Sequence, residues 1–81
     1  MVANMLTATQ CRMARSALRW TLQELADKAG VSRATLTRFE AEQGTPINAT
    51  LRAVRQELEA AGVEFLPDGG VRLREQPAEA S

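Results

Sequence analysis

The segment TLQELADKAGVSRATLTRFEAE, residues 21–42, has the pattern of two short helices joined by a tight turn. Thr21 and Glu24 form a Thr-x-x-Glu capping box, which marks a helix start because each side chain can bond the backbone N–H of the other residue. Gly30 can end this helix in the left-handed backbone conformation without a side-chain penalty. Ser32 can cap the helix that follows. The segment therefore predicts a helix, a turn and a second helix.

Apolar residues at three- and four-residue steps give both helices an inward face. These residues are Leu22, Leu25, Ala26 and Ala29 on the first helix, and Leu36 and Phe39 on the second. The polar residues of the second helix need not face a core: Arg33, Thr35, Thr37 and Arg38. This arrangement is typical of the helix-turn-helix, in which the second helix enters the major groove of DNA.

One further helix is predicted before this segment and one after it. The helix before the segment starts at about Thr7, with Thr7 or Thr9 as its N-cap. The helix after the segment has Asn48 or Thr50 as its N-cap and runs to about residue 61. Their inward faces are predicted from apolar residues at helical spacing. These residues are Cys11, Ala14, Ala17 and Leu18 in the helix before the segment, and Leu51, Val54, Leu58 and Ala61 in the helix after it.

The sequence after Gly62 changes from a helical pattern to a strand pattern. Apolar and charged residues alternate on both sides of a Pro-Asp-Gly-Gly turn, which predicts a β-hairpin. A hairpin alone is marginal in water, so it must pack on the helices, pair with a second copy, or do both. The predicted organisation is a flexible N-terminus at 1–6, a helical domain at 7–61, a hairpin at 62–75 and a disordered tail at 76–81.

The formal net charge is zero, but the charge is unevenly distributed along the chain. Residues 1–55 contain eight basic and four acidic residues, a balance of +4, whereas residues 56–81 contain two and six, a balance of −4. A basic front half suits a nucleic-acid partner. Most of these cations are arginine, whose planar group recognises phosphate and guanine well. The alternative is that the uneven charge only solvates a small helical domain.

Several classes of function are disfavoured by composition. The chain contains no histidine, no tyrosine and one cysteine, with neither a metal-ligand cluster nor a phosphate-binding glycine loop. We therefore expect no enzymatic activity, no metal and no cofactor. Cys11 is interpreted as a small packing residue, since a single cysteine forms no internal disulfide. The absence of a long apolar run or a signal segment predicts a cytoplasmic protein without a membrane partner.

Residues 7–61 resemble the XRE/Cro/C1-type helix-turn-helix of phage repressors and many bacterial regulators, including antitoxins. The run ELADKAGVSRATLTRFE carries the resemblance, with core and turn residues at the spacing of the motif: Leu25, Ala26, Gly30, Val31, Leu36 and Phe39. It implies a mainly α fold, a four-helix lambda-repressor-like DNA-binding domain, here followed by the β-hairpin. It also implies a bacterial or phage-encoded regulator that binds double-stranded DNA.

The same resemblance implies roles for individual residues. Base contacts are implied for Arg33, Ala34, Thr35, Thr37 and Arg38. Phosphate contacts are implied for Thr21, Gln23, Ser32, Gln43 and Asn48. Arg15 and Glu40 match positions that form a structural ion pair in several relatives. Many relatives carry glutamine at the position of Leu22, so either Gln23 replaces that contact or the contact is absent.

The hairpin lies outside the helical core of the family. Short regulators of this type often end in GVEF…VRL, which the chain resembles at residues 62–65 and 71–73. We predict that the hairpin contributes to a homodimer, and that removal of residues 63–81 leaves a folded monomer. The residues predicted to form the dimer contact are Val63, Phe65, Val71 and Leu73.

The sequence thus predicts a sequence-specific transcriptional regulator, a homodimeric repressor on a palindromic operator. Two alternatives remain open. One is an antitoxin that represses its own operon and binds a toxin protein through its acidic rear. The other is a protein-interaction module that keeps the fold without binding nucleic acid. Steep loss of duplex affinity with added salt would distinguish a DNA-binding protein from such a module.

Overall fold

The computed structural model describes residues 6–74, which form four helices followed by two strands. The elements are α1 (Ala8–Leu18), α2 (Leu22–Ala29), α3 (Arg33–Glu40), α4 (Asn48–Ala60), β1 (Val63–Phe65) and β2 (Val71–Leu73). The mainly α, lambda-repressor-like fold with a C-terminal hairpin is therefore confirmed. The predicted flexible residues 1–5 and disordered residues 76–81 lie outside the described residues. Leu6 was also predicted to be flexible, but it is buried in the core at 3% exposure.

Three helices begin with side-chain caps at the positions that their sequences favour. Thr7 forms a capping box with Gln10 at the start of α1, and Thr21 forms one with Glu24 at the start of α2. Ser32 accepts a hydrogen bond from the backbone of the third helix. These caps satisfy backbone N–H groups that a helix start otherwise leaves without partners.

The start of α4 differs from the prediction. Ile47, rather than Asn48 or Thr50, occupies the N-cap position, and no side chain caps the helix. The carbonyl of Ile47 accepts from the backbone N–H groups of Thr50 and Leu51 at 3.0 and 3.1 Å. The N-cap therefore lies one residue before the first polar candidate, and the helix itself begins at Asn48.

The core forms where the four helices meet the first strand. Its buried hydrophobic residues are Leu6, Cys11, Ala14, Leu25, Ala26, Leu36, Phe39, Leu51, Val54, Leu58 and Val63. Ala17 was predicted to face inward but is exposed, because the buried face of α1 runs through Cys11 and Ala14. Within residues 6–74, no helix is long and apolar enough to cross a membrane.

The hairpin packs against the helices of its own chain. β1 and β2 are antiparallel, with Val63 opposite Leu73 and Phe65 opposite Val71, and they contact α4 and α1. Val63 is fully buried, while Phe65 and Val71 are partly buried against the core. Only Leu73, at 45% exposure, leaves substantial apolar surface free. The prediction that Val63 contacts a second copy is therefore wrong, and removal of residues 63–81 would expose the core.

Candidate nucleic-acid interface

The third helix presents one polar face away from the core. Leu36, Phe39 and Glu40 are buried, and the exposed positions of α3 and its C-cap fall within an arc of about 140°. The arc contains Arg33, Ala34, Thr37, Arg38 and Ala41. Small side chains occupy its middle and the two arginines lie at its margins, which lets the helix backbone approach a surface closely.

Thr35 lies just outside this arc. It is half-buried, and its hydroxyl accepts a hydrogen bond from the Ser32 hydroxyl at 2.8 Å. Ser32 also accepts from the Thr35 backbone N–H at 3.0 Å. The two hydroxyls thus hold the first turn of α3, and Thr35 is less available than the other four residues predicted to contact bases.

The arginines differ in whether they form hydrogen bonds within the chain. Most arginines outside the third helix donate to acceptors of the same chain. Acceptors on the chain engage Arg12, Arg15, Arg55, Arg72 and Arg74. Neither Arg33 nor Arg38 has a hydrogen bond or ion pair within residues 6–74, and both are exposed. Arg33 and Arg38, at the two margins of the outward face of α3, are therefore available to bind an anion.

The predicted phosphate-contact residues surround this face, but they differ in their free groups. Thr21 caps α2, so its hydroxyl is an acceptor for Glu24 while its own proton remains available to donate. The Gln23 side chain donates to Asp27 at 2.9 Å. Gln43 and Asn48 are exposed, and within the described part of the chain their side chains have no hydrogen-bond partner.

An ion pair holds the far end of α3 against α1. Arg15 donates to both carboxylate oxygens of Glu40, at 2.9 and 2.8 Å, and also to the backbone carbonyl of Trp20 at 2.9 Å. The Cys11 thiol donates to Glu40 at 3.3 Å, and Arg12 donates to the Glu40 carbonyl. The structure therefore contains the ion pair that the family resemblance implies, and the pair links α3 to α1.

Burial of this cluster controls its protonation. Desolvation raises the pKa of the Cys11 thiol well above its ordinary value, and the neighbouring carboxylate raises it further. The hydrogen bond to Glu40 raises the pKa of Arg15. The thiol consequently stays protonated as a donor and the guanidinium stays charged, so the cluster has a structural role.

A shallow cleft borders the outward face of α3 on the side of α4. Thr35 and Arg38 form one wall, and Pro46, Ile47 and Thr50 form the other. Ile47 is 72% exposed there. It was not singled out from the sequence.

Comparison with known protein families identifies the family to which this domain belongs. A helix-turn-helix family model matches residues 12–59, more than half of the chain. The chain belongs to the XRE/Cro/C1-type helix-turn-helix family. A search of curated proteins finds no match. As a member of the XRE family, the protein is a DNA-binding transcription regulator, and DNA is its partner.

The helix-turn-helix motif of this XRE-type domain consists of α2, the turn at Gly30 and α3. α2 and α3 are the two helices of the motif, with Gly30 in the left-handed conformation between them at φ 71°. Val31 is partly buried against the core and donates its N–H to the Ala26 carbonyl at 3.0 Å. This hydrogen bond and the packing of Val31 set the position of α3 relative to α2.

Proposed function

We propose that this XRE-family protein is a repressor that binds a palindromic operator as a homodimer. The observation that carries the proposal is the outward face of α3, where Arg33 and Arg38 are exposed and without partners in residues 6–74. Elsewhere on the domain most arginines are bound to acceptors of the same chain. A helix face with free arginines at its margins and small residues between them suits insertion into the major groove.

The two arginines contact guanine edges in this proposal, because a guanidinium can donate to the O6 and N7 atoms of guanine together. Ala34 and the Thr37 methyl group lie between them and meet thymine methyl groups. Thr35 takes a smaller part, because it is half-buried and lies outside the exposed arc of α3.

Phosphate groups on either side of the groove are bound by the residues around α3. The Thr21 hydroxyl, the Gln43 amide and the Asn48 amide each have a donor to offer. Ser32 contributes through the backbone at the helix start, because its hydroxyl is engaged with Thr35. Gln23 donates one side-chain N–H to Asp27 and keeps the second for a phosphate. These contacts position the domain without reading sequence.

Dimerisation supplies the second half-site. A single small domain reads few base pairs, and two-fold symmetry places recognition helices about 34–36 Å apart, one turn of DNA. Leu73 is the apolar hairpin residue with the largest exposed surface, at 45%, and is the contact that we assign to the dimer. Phe65 and Val71 contribute only their remaining exposed edges.

The test is selection of bound duplexes from a random pool with the purified protein. The expected product is a palindrome whose half-sites are one helical turn apart. Arg33→Ala and Arg38→Ala should each relax specificity at one position of the half-site, at a cost of about 1–3 kcal/mol. Arg72→Ala on the hairpin is the matched control and should leave specificity unchanged.

Salt titration on the selected duplex separates DNA binding from a protein-interaction role. Affinity should fall steeply as salt is raised, because phosphate contacts release counterions.

Sedimentation of wild type and Leu73→Asp tests the dimer, with a lower mass expected for the variant. A pool with no enrichment at low salt would overturn the proposal.

A further inference from the structure

Ile47 has side-chain surface that the fold does not use. Within residues 6–74 it is the most exposed large hydrophobic residue, at 72%, compared with 45% for Leu73 and 36% for Met13. It also occupies the N-cap of α4, where serine, threonine, asparagine or aspartate would accept a hydrogen bond from the helix backbone. Neither burial nor capping accounts for an isoleucine at this position.

The backbone holds Ile47 in a fixed place. Pro46 precedes it and limits the freedom of the loop. The Ile47 carbonyl accepts two hydrogen bonds from the first turn of α4, at 3.0 and 3.1 Å. Its β-branched side chain has restricted rotation about χ1. A contact made by this side chain would therefore lose little conformational entropy on binding.

Ile47 lies beside the outward face of α3. It borders the cleft that Thr35 and Arg38 line from the other side. Arg38 is exposed and has no partner within the described range. The apolar side chain is therefore continuous with the surface proposed to enter the major groove. The apolar feature that base edges present in that groove is the C5-methyl group of thymine.

We propose that Ile47 is a specificity-determining residue that packs against the methyl group of a thymine next to the base pair read by Arg38. The inference rests on the DNA-binding function proposed above and adds a base preference to it. Each half-site then contains a thymine on the side of the α3–α4 loop. The residue contributes through apolar contact, whereas the arginines contribute through hydrogen bonds.

The test compares the selected duplex with one in which deoxyuridine replaces that thymine, which removes only the methyl group. With deoxyuridine in both half-sites of the palindrome, wild type should bind about sixteenfold more weakly, which is about fourfold for each of the two buried methyl-sized groups. Ile47→Ser should bind both duplexes alike, near the wild-type affinity for deoxyuridine. Ile47→Val should keep the preference, and Met13→Ser, the control at another exposed apolar residue, should keep it fully.

Folding and binding can be separated in these variants. Serine at position 47 can cap α4, so Ile47→Ser should melt at the same or a higher temperature than wild type. A thymine preference that persists in Ile47→Ser would overturn the inference. A wild type that selects a duplex but shows no deoxyuridine effect overturns this inference alone. A wild type that selects no duplex overturns the proposed function as well.

Discussion

Arg15→Gln removes the cation that neutralises a buried carboxylate. Glu40 is 6% exposed and Arg15 is 24% exposed, and the two are joined by a pair of hydrogen bonds. Removing one partner of a buried pair costs about 3–5 kcal/mol, because the remaining charge is left without compensation. Solvent reaches part of the arginine, so we expect about 3 kcal/mol, the lower end of that range.

This loss is large for a domain of 81 residues. Each kcal/mol shifts the melting temperature of a domain of this size by about 4–8 °C, so Arg15→Gln should melt about 12–24 °C lower than wild type. Urea unfolding followed by the fluorescence of Trp20, the single tryptophan, measures the free energy directly. Arg72→Gln is the control, because its pair with Glu64 is exposed at 66% and 34% and should contribute less than about 1 kcal/mol.

A double-mutant cycle distinguishes the pair from its two separate residues. Glu40→Gln should also destabilise the fold, but the variant with both substitutions should lose less than the sum of the single losses, because neither charge is then left alone. Additive losses, or a loss below about 1 kcal/mol for Arg15→Gln, would refute the ion pair as the main link between α1 and α3.

Three further local features of the fold are tested by substitution and urea unfolding. Arg19 adopts a left-handed conformation at φ 61°, so Arg19→Gly should stabilise by about 0.5–1 kcal/mol, whereas Arg52→Gly inside α4 should destabilise by about 1 kcal/mol. Thr21→Ala removes the capping box of α2 and should cost about 1 kcal/mol; an unchanged stability would contradict the role of the cap. Val63→Ala should cost about 2 kcal/mol because Val63 is fully buried, while Leu73→Ala should cost less; equal losses would argue against the packing of the hairpin on the core.

Local sequence patterns predicted the features that depend on neighbouring residues. The caps at Thr7, Thr21 and Ser32 each need only a side chain and a backbone group three residues apart. The turn at Gly30 needs only a residue that tolerates positive φ. For such features the sequence is sufficient, because the interacting groups are close along the chain.

Features that depend on tertiary packing were harder to predict. The hairpin could pack inward or outward on its pattern alone, and the structure buries Val63 in its own domain. The left-handed conformation of Arg19 has no signal in its residue type. Ile47 occupies the N-cap of α4 although its side chain cannot accept a hydrogen bond, so its residue type gave no signal for this position. The Arg15–Glu40 pair joins residues 25 positions apart, and only the family resemblance indicated it.

The buried thiol of Cys11 offers a way to measure how often the domain opens around the contact between α1 and α3. Cys11 is the single cysteine of the chain, and it is fully buried with its thiol bonded to Glu40. A thiol reagent can react only after the core around Cys11 opens, so the labelling rate measures how often that part of the domain opens. The same measurement with operator present would show how firmly bound DNA holds the recognition helix on its scaffold.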